Sequence, residues 1–290
     1  VAKNIVFRTI TDNSARVVAL TNGEVDIIDG IDANVVDQIT AAGCLLNMTE
    51  GMNINYMAYN TQKLDDPDVR RALSEAVNVP ELVQSLYRGY ATEATSILPS
   101  FVPGYSADVT PTQYDPEDAQ QVLADKGITE IHMLAYTNPR PYNTATGQTL
   151  AEAIQGYWAK VGVNCRIDTF DWTSYIDKCN TGDFDVCLFG WTGDNGDPDN
   201  FLNLLANEDI GINVAHYKND EYNAMLAEAV SLPNGDERNA LYGEMEQKLA
   251  DECVWLPISH QESLSAYVSN VHNFIFHPTG NVYLSKTYKY

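Results

Sequence analysis

Between Glu130 and Trp191 apolar strands alternate with amphipathic helices, and that alternation leaves few architectures open. Glu130–Tyr136 reads as a strand. Leu150, Ala153, Ile154, Tyr157, Trp158 and Val161 then recur at three- and four-residue intervals, which places them on one helical face. Val163–Phe170 is a second strand, Thr173–Asn180 a short helix, and Phe184–Trp191 an apolar third strand. Strand, helix and strand in succession imply parallel βαβ units with right-handed crossovers. In such sheets ligands sit just beyond the carboxyl ends of the strands. Two polar loops occupy those ends, Thr137–Gly147 and Thr192–Asn200.

The flanking sequence gives the same class of fold. Ile5–Ile10 alternates like a strand, Ser14–Leu20 is helical up to Gly23, and Val25–Ile28 is a strand. A helix over Asn34–Ala42 stops at Gly43, and Ile54–Tyr59 is a further strand. Asp66-Pro67 and Asp115-Pro116 are helix starts, because Asp accepts from free amides and Pro fills a first-turn position that needs no N–H. The first of these helices runs to about Asn78, and Pro80 begins the next. Lys126-Gly127 ends the helix that Asp115 opens. Helices near Asp220–Leu232 and Asp236–Glu252 lead into the strand Val254–Ser259 and further short strands. At 290 residues the chain is long enough for two cores. The expectation is two α/β lobes, with 1–50 and 253–290 in the first and 51–252 in the second, which carries the ligand loops.

Charge excludes one class of partner. Forty Asp and Glu against 17 Lys and Arg give a net charge of −23, a surface that repels phosphate backbones and anionic lipid. Nucleic acid is therefore not an expected partner. The cysteines at 44, 165, 179, 187 and 253 form no CxxC pair and no zinc spacing, so no metal site is expected from them. For Cys165 and Cys187, in apolar strand-like runs, a buried free thiol is the simplest reading, with a Cys179–Cys187 bridge as the alternative. Cysteine usage leaves the redox compartment open. The opening residues carry no charged-then-apolar leader, so a targeting segment has been removed or the chain starts inside a longer one.

The two strand-end loops hold the chemistry. In GWTGDNGDPDN (190–200), Asp194, Asp197 and Asp199 allow three readings: a turn, a calcium loop, or a carboxylate that holds a ligand ammonium. The spacing lacks the distant bidentate Glu of the usual calcium loop. In Asn138-Pro139-Arg140-Pro141-Tyr142-Asn143 the prolines stiffen the backbone around Arg140, whose planar fork suits a carboxylate. Pairing with a surface acid is the plain alternative. Tyr136, Tyr142, Trp172 and Trp191 flank the loops as stacking planes or as ordinary core, with Trp172 best placed. The five histidines are scattered, and no GxSxG, P-loop or HExxH occurs. Asp194 with Asp197 as a glycosidase pair is the weak catalytic alternative.

These loops, with FRTITDNSARVVALTNGEVDI (7–27), YNTQKLDDPDVRRALSEAVN (59–78), RPYN (140–143), WAKVGV (158–163) and GWTGDNGDPDN (190–200), resemble the family-5 extracellular solute-binding proteins of ABC importers, the dipeptide-binding members above all. The resemblance covers nearly the whole chain. It implies a type II periplasmic-binding-protein fold with an incomplete first lobe, a short-peptide ligand, permease subunits as partners, no cofactor and no enzymatic activity. It also implies a monomer outside the cytoplasm, membrane-tethered only through an N-terminal lipid anchor that precedes this sequence. By the same resemblance Asp194 meets the peptide ammonium and Arg140 its carboxylate, while Tyr142, Trp172, Trp191 and Thr192 line the pocket. Thr144 departs from the family, which often has Pro after RPYN. Haem or a metal chelate is the alternative ligand within the family, and a ligand-sensing regulatory fusion is a further alternative.

Overall fold

The computed structural model describes residues 2–205 and 212–290. Helix α1 (Asn13–Thr21) starts where Asp12 accepts from Ala15 N, and β1 (Ile27–Asp29) follows. A 3₁₀ turn at Ala33–Val35 leads into α2 (Val36–Ala41), then β2 (Leu45–Glu50) and β3 (Asn53–Tyr59). Asp66 caps α3 (Pro67–Glu75), Asn78 caps α4 (Val79–Tyr87), and β4 spans Ala91–Glu93. Asp115 caps α5 (Pro116–Asp125). Both Asp-Pro signals therefore open helices as the sequence predicts. The first of those helices ends at Glu75 rather than Asn78, whose side chain is taken up in capping α4.

The alternating segment forms β5 (Glu130–Tyr136), α6 (Gly147–Lys160), β6 (Asn164–Phe170), α7 (Trp172–Thr181) and β7 (Val186–Thr192). After the one-turn α8 (Asp199–Leu202) come α9 (Asp220–Ser231), α10 (Asp236–Asp251) and the long β8 (Trp255–Tyr267). Four two-residue strands close the chain: β9 (Val271–His272), β10 (Ile275–Phe276), β11 (Val282–Tyr283) and β12 (Tyr288–Lys289). Among the described residues no helix is long and apolar enough to cross a membrane.

One sheet runs in the order β1-β8-β3-β7-β5-β6, with β2 and β4 also paired to β8. Strands β5, β6 and β7 are parallel, as the alternation requires, and β7 reaches β5 from β6 by crossing it. The parallel expectation holds for those three strands alone, because β3 runs antiparallel to both β7 and β8. Strand β8 is twice the predicted length. Its first part pairs with β3 and its last part with β1 and β2. One hydrophobic cluster spans Met52 to Ile258, and a smaller one joins Val17, Leu20, Ile28, Ile31, Val36 and Ile39 to Leu264 and Ala266.

The predicted strand Ile5–Ile10 is absent. That stretch is exposed, with Val6 and Phe7 at 87% and 79%, and it joins no ladder with the described residues. Alternation marks a segment able to pair, but a strand needs a neighbour for its amides.

Candidate functional site

The loop after β5 is closed by a two-way backbone bridge: Arg140 N donates to Asn143 O and Asn143 N to Arg140 O, both at 2.9 Å. Beneath it the buried Asn143 links two phenols. It accepts from Tyr87 Oη (2.9 Å) and donates to Tyr136 Oη (2.9 Å), while Asn55 Nδ2 donates to Tyr87 Oη (3.1 Å). Four buried side chains from β3, α4, the loop and β5 thus hold the loop from below. Such a network fixes geometry because every unmet polar group in it would be costly.

On that base Arg140 places its guanidinium carbon 3.7 Å over the Trp172 ring. Trp172 is the first residue of α7, and the Asp171 carboxylate caps the helix by accepting from Thr173 N (3.1 Å) and Ser174 N (3.3 Å). Bonding from the Ser174 hydroxyl, reinforced by those amides, holds Asp171 below the usual carboxylate range. Tyr136 and Phe189 flank the indole with ring centroids 5.6 Å away. The half-buried Arg140 forms no ion pair among the described residues, and its Nε has no hydrogen-bond partner. The surface-acid alternative for Arg140 is therefore not what the structure shows.

Tyr142 is buried edge-on to Tyr136 (6.3 Å) and packs on the β7 backbone at Gly190. A Cβ at Gly190 would fall 2.5 Å from both Tyr142 Cγ and Ile54 O, so the close approach requires glycine. Burial pushes the Tyr142 phenol well above its ordinary pKa.

The second loop is organised by Asn200. Its Oδ1 accepts from Trp191 Nε1 (3.0 Å) and from Asp194 N (2.9 Å), while Gly193 N donates to Met52 O (2.7 Å). The exposed Asp194 carboxylate meets only Asn200 Nδ2, at 3.5 Å, and no cation among the described residues. Thr192 lies opposite Asn53 of β3, with its hydroxyl buried and unpartnered.

Asp197 has a different occupation. Both its oxygens accept from the buried Arg238, at 2.9 Å each, and this pairing holds its pKa below the ordinary range. Arg238 also bonds Ala229 O and Tyr242 Oη, so the pair anchors the loop to α9 and α10. With both its oxygens engaged, Asp197 cannot serve as the second carboxylate of a glycosidase pair, which withdraws that alternative. Among the described residues no group of three His, Cys, Asp or Glu side chains could hold a metal ion.

The structure thus brings Arg140, Tyr142 and Trp172 together around Tyr136, and Trp191, Thr192 and Asp194 around Asn200 and Asn53. Both groups stand where the parallel strands β5 and β7 end, at one edge of the sheet. Sequence reasoning assigned no role to Asn143, Asn200 or Arg238. The two asparagines lie inside the motifs already singled out, whereas Arg238 is 41 residues from its partner and carries no local signal.

Comparison with known proteins gives the family. The chain belongs to the bacterial extracellular solute-binding proteins of family 5, whose middle-region model matches residues 2–212. It is 33% identical over 291 residues to Heme-binding protein A of Haemophilus influenzae, covering 95% of this chain and 52% of that protein. It is 32% identical over 283 residues to Di/tripeptide-binding protein 3 of Pseudomonas aeruginosa, covering 95% and 53%. Among solved structures it resembles the ABC transporter-associated periplasmic binding protein DppA of Helicobacter pylori in complex with the peptide STSA. That likeness has a TM-score of 0.85 and 26% identity, over 97% of this chain and 56% of that one. The fold is that of the type II periplasmic binding proteins, and the family consists of transport receptors rather than enzymes. The chain spans about half the length of the curated relatives it matches.

Proposed function

We propose that this chain is the ligand-loop portion of an extracytoplasmic receptor that captures short peptides, dipeptides first, for an ABC importer. The observation that carries the reading is an unpaired cation and an unpaired anion on neighbouring strand-end loops. Arg140 stacks on Trp172 without an acidic partner among the described residues, and Asp194 is exposed without a basic one. In a chain with 40 acids, an arginine with no acidic partner among the described residues supports a ligand role. A zwitterion supplies both complements: its carboxylate meets the guanidinium fork and its ammonium meets Asp194. Tyr142, Trp172, Trp191 and Thr192 line the space between. The two hydrophobic clusters support a division into 1–50 with 253–290 and 51–252, although Cys253 to Leu256 and Ile258 pack in the larger cluster. A monomer tethered through a lipid anchor belongs to the same reading.

Calorimetry on the full-length receptor tests it with dipeptides, N-acetyl dipeptides and free amino acids. Free dipeptides should bind and acetylated ones should lose at least tenfold, the scale of one charge-assisted contact. Equal binding of the two would remove the role given to Asp194.

Likeness to Heme-binding protein A favours haem as the second reading. A Soret band that forms on haem addition and is blocked by saturating dipeptide would support it.

A further inference from the structure

The first ligand loop is tied to the place where the chain passes between the two hydrophobic clusters. Thr144, the residue after the Arg140–Asn143 bridge, donates its hydroxyl to Gln261 Oε1 at 3.1 Å. Gln261 is buried in β8, and its Nε2 donates to Ser259 Oγ at 3.2 Å. Gln261 pairs with Ala91 of β4, and its backbone is also gripped by a side chain: Gln261 N donates to Asn53 Oδ1 (2.8 Å), and Asn53 Nδ2 donates to Gln261 O (2.9 Å). That grip sits where Gly51 lets the chain run so close to Gln261 O that no Cβ would fit. Asn53 in turn is the direct partner of Thr192 across β3 and β7. Asn53 and Gln261, bonded to each other, therefore connect to both ligand loops, Gln261 through its side chain to Thr144 and Asn53 through its strand pairing with Thr192. It lies in the two stretches, Glu50–Asn53 and Ser259–Glu262, where β2 gives way to β3 and β8 changes partners.

Nothing in ordinary packing asks for this arrangement. A buried glutamine is costly unless its polar groups are met, and Gln261 spends its only side-chain acceptor contact on the loop that holds Arg140. We propose that Thr144 and Gln261 are positioning residues: their bond sets the Arg140 loop against the strand crossover, so that a ligand held by Arg140 is felt at Asn53 and Gln261. The inference rests on the ligand role of Arg140 proposed above.

Residue-resolved hydrogen exchange of the full-length receptor, read with and without dipeptide, tests the proposal. In the ligand-free protein Thr144→Val should speed exchange at the Arg140 and Asn143 amides on the order of fivefold, the worth of one net hydrogen bond. Thr144→Ser should stay at the wild-type rate. Gln261→Met should match Thr144→Val, and the double variant should add nothing further. Dipeptide should slow exchange at the Gln261 amide in wild type and in Thr144→Ser, but not in Thr144→Val. Unchanged loop exchange in Thr144→Val, additive effects in the double variant, or equal protection of Gln261 in Thr144→Val and wild type would each overturn it. The ligand-free arm is independent of peptide binding. A receptor that binds no dipeptide therefore sinks the function proposed above while the Thr144–Gln261 bond is still judged on its own.

Discussion

The guanidinium of Arg140 lies 3.7 Å over the indole of Trp172 and meets no carboxylate among the described residues. The two residues come from different βα junctions, one in the loop after β5 and the other at the first position of α7. Stacking satisfies the face of the cation and leaves its N–H edge for a planar anion. The indole is itself clamped by Tyr136 and Phe189, so little side-chain entropy is left to lose when an anion arrives.

Replacing that fork is the first prediction. Arg140→Gln should weaken dipeptide binding about 100-fold, as expected when one partner of a desolvated charge pair is removed. Arg140→Lys should recover little of it, because a point charge cannot make two parallel bonds. Thermal unfolding of the ligand-free protein should fall only slightly, since no ion pair is lost and the Trp172 stack is worth about 1 kcal/mol. Calorimetry and a melting curve on the same samples check both halves.

Much of this was legible in the chain. The capping signals Asp66-Pro67 and Asp115-Pro116 act locally, and local rules suffice to place α3 and α5. The alternation from Glu130 to Trp191 sets three parallel strands and hence the edge at which both loops stand. What escaped depends on distant partners. The polar stretch Ser259-His260-Gln261-Glu262-Ser263 does not look like strand interior, yet β8 runs through it because Asn53 and the β2 and β4 ladders receive its backbone groups. Strand β2 depends on the distant β8 in the same way, since it has no buried apolar face of its own and leaves Leu45 and Met48 exposed. Ile5–Ile10 has the period without the partner.

A second prediction concerns Gly190. A methyl group there collides with the Tyr142 ring and with Ile54 O. Gly190→Ala should therefore cost about 1–3 kcal/mol, the usual scale of overpacking in a full core. Urea denaturation reads the loss. Gly196→Ala in the neighbouring loop, where an added Cβ meets nothing within 4 Å, serves as the control.

The pairing of Asp197 with Arg238 gives a third. Asp197→Asn keeps the side-chain shape but surrenders one charged, bidentate contact that anchors the loop to α10. Stability should fall by about 2 kcal/mol, within the range for hydrogen bonds to charged groups. Dipeptide affinity should change far less than in Asp194→Asn, because both Asp197 oxygens are taken up by Arg238 in bracing the loop. Comparable losses of affinity in the two variants would contradict that division of labour.

Glu246 supplies a pH dependence whose sign follows from its burial. It sits on α10, accepts from Leu98 N (3.1 Å) and Ser106 N (2.9 Å), and thereby pins the segment between them to the helix. Burial raises its pKa from the ordinary 4.5 to about 7, and these amide bonds offset only part of that rise. Below pH 4.5 the carboxyl is protonated in both folded and unfolded chains and carries no penalty. Between 4.5 and about 7 the unfolded chain ionises first, so the folded state holds the extra proton and stability falls as pH rises. The loss is complete above pH 7 and amounts to at most about 3 kcal/mol. Glu246→Gln stays neutral throughout, at the cost of an amide group that cannot accept from one of the two backbone donors. The difference in urea midpoint between variant and wild type should therefore shift in favour of the variant from pH 5 to pH 8. A difference that is flat across that interval would mean Glu246 is already ionised in the folded protein at pH 5.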